Sequence, residues 1–497
     1  MTSNSPMMDR LRGSKKFSYL PPLRFRFPKK GLIRFFLTAI LLFAGFKIAG
    51  SLMASSNEAD SVSENEKPSR SMSEPGKTGL SAVDLKIHEQ LDSTEVNALC
   101  ALAPLRIKGR MDTIIAGKDS LVRHYSVDSM ICATTDNLFK QYKPQYGVAA
   151  IIQPKSGRVL ALVSYRHDSA RVLDDHLYLR AILPAASIFK TVTAAAAIER
   201  AGYTDSTLLP VTGRNHTLYR FQLRREIDPW NELPFGEAYA RSINPVFARI
   251  GMYAVGQNAL REFGTRFGFN EPVPFDLPVD PSLMDIPEDT SYAMAEVASG
   301  FNRKTSLSAL HGALIAAAVI NDGLMPRPSI VDSIVRTNGA CLYRREPVPW
   351  KTAVTAPTAA ELRLLMERVV TMGTGRKSFR TLNRCAWSST IECGGKTGSI
   401  HVDTLGKIDW FVGYAIDRDD PVRSLAISVA TVHGVLWTVH SGYIAAEVIR
   451  NYYRPLKIGV STKQFTIPEQ PKTGLSTRQL TIPVLIDSTD TVSTPEG

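Results

Sequence analysis

The sequence predicts an α+β fold in which one antiparallel sheet is assembled from two distant stretches of the chain and covered by helices. Three observations carry that expectation. Two apolar runs of strand length, 148–152 and 159–163, are joined by Gln153-Pro154-Lys155-Ser156-Gly157 and read as a β-hairpin. Far down the chain, a glycine-rich run opening at Gly394 and reaching Ile400, then 410–415 and 425–430, read as successive strands separated by Gly406 and by 417–421. Between the two strand groups the apolar spacing turns helical.

Taken in order, the chain begins with a basic tail. Residues 1–34 carry nine Lys/Arg against Asp9, which is +8 of the formal +12. The tail runs straight into 35–54, where Lys47 is the only charge, and this is about the twenty residues a bilayer crossing needs. The positive-inside rule therefore accounts for the basic charge without a nucleic-acid partner. A cleaved signal peptide is the rival reading of 35–54, and the long basic leader favours an uncleaved transmembrane helix. Residues 55–80 are rich in Ser, Glu, Asn and Pro and read as a flexible spacer. Mixed signals follow over 81–143: helical spacing at 83–99, alternation at 105–122 and helical spacing again at 126–142, taken together as a small juxtamembrane or pedestal region.

The main folded region is expected over 144–455. Beyond the hairpin, 191–201 reads as an Ala-rich helix, 236–242 and 245–263 as further helices, and 306–321 as an apolar helix stopped by Asp322-Gly323. A closing helix covers 441–453. Residues 456–497 read as a disordered tail in which 461–468 is echoed by 476–483, and two copies are too few for a solenoid. With 44% hydrophobic and 21% charged residues over 497 positions, the chain has ample material for a large core. Five cysteines, Cys100, Cys132, Cys341, Cys385 and Cys393, show no metal-binding spacing. Pairing of Cys385 with Cys393 or Cys100 with Cys132 is open, alongside simple buried thiols.

The chemistry is concentrated in three short motifs. Ser187 and Lys190 stand three residues apart at the start of the 191–201 helix, on one face, so the amine can take the hydroxyl proton. Lys190 is the only lysine in the chain with serine at i−3. Ser242 and Asn244 supply a hydroxyl and an amide in a turn followed by Pro245. Gly394-Gly395-Lys396-Thr397-Gly398-Ser399 opens a strand on which glycines admit close approach and the lysine projects a charge. A base, a proton donor, a cation and backbone donors are the requirements of acyl transfer to serine.

In this order the motifs resemble the SxxK, SxN and KTG set of penicillin-binding proteins and serine β-lactamases. The resemblance runs from about Gly147 to Tyr453 and includes GVAAIIQPKSGRVLALVS, ARSINPVF, SALHGALIAAAVINDGLMPRP, the GTG at 373–375 and GGKTGSI followed by DWFVGYA. KTG recurs at 77–79 and 472–474, and SxN at 55–57 and 63–65, so order and context carry the specificity. The resemblance implies the penicillin-binding transpeptidase fold, an α/β/α layering with a five-stranded antiparallel sheet flanked by helices. It implies that Ser187 attacks a terminal D-Ala-D-Ala of a peptidoglycan stem peptide, with Lys190 as base, Ser242 relaying a proton and Asn244 orienting Lys190. Lys396 and Thr397 would meet the substrate carboxylate, and backbone N–H groups of Ser187 and Ser399, next to Gly398, would form the oxyanion hole. No cofactor or metal is implied. The implied partners are stem peptides, β-lactams, the cytoplasmic membrane and a separate glycosyltransferase.

Ser242 follows Ser187 by 55 residues (242 − 187), and Lys396 follows Ser242 by 154 (396 − 242), a second gap that looks more like a transpeptidase than a β-lactamase. No glycosyltransferase-like region is visible, which implies a monofunctional D,D-transpeptidase with its catalytic domain outside the cytoplasmic membrane. A D,D-carboxypeptidase, a class D-like β-lactamase, a β-lactam sensor and a non-catalytic wall-complex partner are the alternatives. Small departures from the family pattern are Ala186 and Ile188 around Ser187, and Ser399 where threonine is usual.

Overall fold

The computed structural model describes residues 90–102, 109–116, 119–168, 170, 176–226 and 231–454. The expected basic tail, transmembrane helix, spacer and repeat-bearing tail lie outside the described residues. Among the described residues no helix is long and apolar enough to cross a membrane.

The first elements are helix α1 (Ser93–Leu102), the hairpin β1 (Met111–Ala116) and β2 (Asp119–Tyr125), and α2 (Ser129–Tyr142). Asp128 starts α2 by accepting the Ile131 N–H at 3.0 Å, and Lys143 ends it in the left-handed region. The expected hairpin follows as β3 (Tyr146–Ile152) and β4 (Val159–Arg166), with Gly157 at φ 71 in its turn. The helical middle comprises α3 (Lys190–Ala201), α4 (Phe235–Ala240), α5 (Asn244–Arg249), α6 (Gly256–Arg266), α7 (Tyr292–Ser299) and α8 (Ala309–Val319). The single helix expected over 245–263 is thus split into α5 and α6 by a π-helical turn at Ile250–Val255. Asp322 and Gly323, both at positive φ, stop the chain after α8 as expected. Then come β5 (Val331–Arg336), β6 (Cys341–Arg344), α9 (Ala356–Thr371), β7 (Ile391–Val402), β8 (Gly406–Asp417), β9 (Leu425–His433) and α10 (Ser441–Tyr453).

The five-stranded sheet runs β7-β8-β9-β3-β4 and every pairing is antiparallel. The early hairpin joins the late strands along β9–β3, where Ala150 faces Ser428. Helices cover both faces, which is why these strands read as unbroken apolar runs rather than alternating ones. On β3, Val148, Ala150 and Ile152 belong to one core with Trp410, Val412 and α8, while Ala149 and Ile151 belong to another with Phe411, Ile427 and the helices α2 and α10. The α/β/α layering follows from this two-sided burial.

The described residues of 90–143 pair with a later part of the chain. Their hairpin pairs through β2 with β5, giving a four-stranded sheet β1-β2-β5-β6, so the two segments separated at 143/144 interleave in space. Helix α2 meanwhile packs on β4 and α10 of the main sheet. All five cysteines are free thiols, so neither pairing considered from the sequence is present.

The sheet is tied to the start of α3 by one long-range bond, from Trp410 Nε1 on β8 to the Pro184 carbonyl at 2.8 Å, with both residues buried. Trp410→Phe is expected to lower stability by about 1–3 kcal/mol, because the Pro184 carbonyl loses its buried donor. Urea unfolding of the variant should show the loss as a lower midpoint at unchanged slope.

Candidate active site

The chain enters α3 through a 3-10 turn at Ala186–Phe189, with Ala186 at φ 49. In a 3-10 turn residues i and i+3 eclipse, so Lys190 stands directly over Ser187. Its Nζ lies 2.7 Å from Ser187 Oγ, 2.7 Å from Asn244 Oδ1 and 2.6 Å from the Ser299 carbonyl at the end of α7. Lys190 is completely buried. Burial pushes its amine well below the ordinary lysine range, and the positive charge of Lys396 pushes it the same way.

Those three contacts define what a neutral Lys190 can do. The Asn244 amide oxygen and the Ser299 carbonyl can only accept, and they take both N–H bonds of a neutral amine. The remaining lone pair then faces the Ser187 hydroxyl.

Ser242 sits at φ 55, between α4 and α5, and its backbone is held by the Ser242 N–H bond to Tyr239 O at 3.0 Å. Asn244 begins α5 with Pro245 behind it, and donates its N–H to Asn215 O at 2.7 Å. From β7, Lys396 donates to Ser242 Oγ at 2.9 Å and to the Thr397 carbonyl at 2.9 Å. Lys396 is also fully buried, and burial lowers its pKa to about 7. Thr397 shares a 2.5 Å hydroxyl contact with Thr374. Gly398 passes close to the 3-10 turn: a Cβ there would lie 3.2 Å from the Ser187 N and 3.3 Å from Ala186 Cβ. Gly300, at φ 63, supports the other side of the turn, where a Cβ would strike the Ala186 carbonyl.

Ser187, Ser242, Asn244, Thr397, Gly398 and Ser399 line one cleft of about 560 Å³. Lys190 and Lys396 lie behind its wall and meet the cleft through the two serine hydroxyls. All eight residues singled out from the sequence therefore converge on this cleft. The second copies of KTG and SxN fall outside the described residues. Sequence reasoning missed the Ser299 carbonyl, Gly300, Thr374 and Asp409. A backbone carbonyl has no residue signature; Thr374 was in view only as part of the GTG at 373–375, and Asp409 only as the first letter of DWFVGYA.

Comparison with known proteins bears on the family. The penicillin binding protein transpeptidase domain family matches residues 147–454. Stage V sporulation protein D of Bacillus subtilis is 24% identical over 371 residues, which is 68% of this chain and 53% of that protein. The peptidoglycan D,D-transpeptidase PbpA of Mycolicibacterium smegmatis is 29% identical over 251 residues, 45% of this chain and 50% of that protein. The chain thus spans about half the length of these curated relatives. Among solved structures, PBPA from Mycobacterium tuberculosis superposes with a TM-score of 0.54 at 22% identity, over 66% of this chain and 81% of that one. The D,D-transpeptidase domain of a peptidoglycan glycosyltransferase from Eggerthella lenta gives 0.54 at 22% identity, over 69% and 84%. With more than half its length matched by the family and the same fold in its structural neighbours, the chain belongs to the penicillin-binding protein transpeptidase domain family.

Proposed function

We propose that the protein is a monofunctional peptidoglycan D,D-transpeptidase acting through a serine acyl-enzyme. The observation that carries this reading is the Lys190 amine, held by two pure acceptors with its third contact on Ser187 Oγ at 2.7 Å. Ser187 Oγ attacks the carbonyl of the penultimate D-alanine, and its proton passes to Lys190. The tetrahedral oxyanion is met by the backbone N–H groups of Ser187 and Ser399. Ser242, 2.9 Å from Lys396, relays a proton to the departing D-alanine amine, and the C–N bond breaks. An amine from a second stem peptide then attacks the ester, releasing Ser187 and forming the cross-link. Thr397 and Thr374 receive the terminal carboxylate in front of the Lys396 charge, and the bound carboxylate raises the proton affinity of Lys396. β-Lactams enter the same cleft and acylate the same hydroxyl.

The basic charge of residues 1–34 and the apolar run 35–54 support a cytoplasmic tail and a membrane anchor, with 55–80 as tether, and on that reading the domain of residues 144–455 works on the outer side of the cytoplasmic membrane. A glycosyltransferase that supplies the glycan strands is the partner this reading proposes.

Fluorescent-penicillin labelling of the full-length protein tests the nucleophile. Ser187→Ala is expected to abolish labelling, a loss of roughly 10⁴-fold or more, and Lys190→Ala to slow it by on the order of 10²–10⁴. Persistent labelling of Ser187→Ala would sink the assignment, and release of D-alanine from stem peptides without cross-linked product would make the enzyme a carboxypeptidase.

The two lysines set opposite limbs of a pH profile. Acylation by a carboxylate-bearing β-lactam is expected to fall at acid pH, as Lys190 takes up a proton and loses its lone pair. It should fall again above about pH 7, where Lys396 loses its charge in the free cleft. Lys396→Arg, which stays charged, is expected to remove the alkaline limb; stopped-flow acylation rates across the pH range read both effects.

A further inference from the structure

Asp409 is the register partner of Ser399 across β7 and β8. It is only 4% exposed. One carboxylate oxygen accepts the Ser399 hydroxyl at 2.9 Å, and the other accepts the Ser441 N–H at 2.7 Å, at the first residue of α10. The contact is reciprocal, since Ser441 Oγ donates to the Asp409 carbonyl at 2.7 Å. Thr431, which faces Asp409 from β9, lies 2.9 Å from Ser441 Oγ, and His433 Nε2 lies 2.8 Å from Thr431 Oγ1. His440 Nδ1 stands 3.7 Å from the carboxylate on its solvent side. The next residue along β8 is Trp410, whose indole holds Pro184 beneath the Ser187 turn. Adjacent residues of one strand thus reach the two sides of the cleft: Trp410 the turn that carries Ser187, Asp409 the strand end that carries Ser399.

The bond also decides what Ser399 can offer. Its single O–H is given to Asp409, so the hydroxyl faces the cleft with lone pairs only. The serine that departs from the family's threonine has a partner of its own on the neighbouring strand. On the reading that Ser187 is acylated, we propose that Asp409 is a positioning residue of the acylation site: its buried carboxylate locks the Ser399 end of β7 against the first turn of α10, holds the oxyanion donor at Ser399 in place and retains the Ser399 proton. Recognition of the substrate carboxylate then rests on Lys396, Thr397 and Thr374.

Asp409→Asn separates these roles. An asparagine oxygen can accept from Ser399 or from the Ser441 N–H but not from both, because its other end is an amide that donates. Stopped-flow acylation of the full-length protein by a fluorescent penicillin, resolving the encounter constant K from the acylation rate constant k2, is the measurement. Asp409→Asn is expected to lower k2 by on the order of ten- to a hundredfold, the range for a displaced oxyanion donor, with K changed less than about threefold. In a Ser399→Ala background the same substitution is expected to cost less than about threefold, because the two residues act as one unit. A k2 within about twofold of the wild type, or losses that simply multiply in the double variant, would overturn the proposal. A purely structural Asp409 would lower the melting temperature while leaving k2 of the folded protein unchanged, which also counts against it. If Asp409→Asn does not fold, Ser399→Ala, which keeps α10 anchored, carries the test: k2 unchanged in that variant overturns the proposal. Wild-type protein that is not acylated at Ser187 would instead strike the underlying transpeptidase reading.

Discussion

Lys190 is completely removed from water, and the rest of the site is arranged around that burial. An ammonium in this position has lost its hydration, is opposed by the charge of a second buried lysine, Lys396, and has no carboxylate among its hydrogen-bond partners. Burial and that neighbouring charge both shift the amine toward its neutral form, and a neutral amine is what a general base requires. Three oxygens from three segments, Ser187 on the 3-10 turn, Asn244 at the start of α5 and Ser299 at the end of α7, orient the lone pair. Such an arrangement cannot tolerate slack, because the acceptors must use up the two N–H bonds for the lone pair to point at Ser187.

The fold supplies the rigidity. The sheet is covered on both faces, so β7 and β8 are fixed by two cores at once. Trp410 transmits that fixed position to the turn before Ser187, and Gly398 lets β7 come within contact distance of the same turn. Positive φ at Ala186, Ser242 and Gly300 marks the three places where the backbone bends sharply to bring side chains and carbonyls into the cleft. Two of the three are not glycine, and strain of that kind persists only where surrounding structure holds it.

Much of this was legible before folding was considered. Runs 148–152 and 425–430 announced strands because burial on both faces of the sheet leaves the strands apolar throughout, in short runs bounded by turn residues. The helix at 441–453 was bounded by its apolar spacing and matches α10 residue for residue. The Ser187–Lys190 pair was visible because its geometry is local, three residues on one turn. The region 81–143 was harder. Its hairpin completes its sheet only with β5 and β6, some two hundred residues away, and neither half carries a signal naming the other. The π-helical turn that divides α5 from α6 was likewise hidden, since apolar spacing runs through it without a break.

Order along the chain, Ser187 and Lys190, then Ser242 and Asn244, then Lys396, is a property of the sequence, and so are the reactive groups these residues bring. The protonation state of Lys190 and Lys396 is not, because desolvation is imposed by residues drawn from segments far apart in the chain. The Ser299 carbonyl and the Asp409 carboxylate became part of the site only on folding. A hydrogen bond to a lone pair or a carbonyl is set by where backbones cross, and no residue type records that crossing.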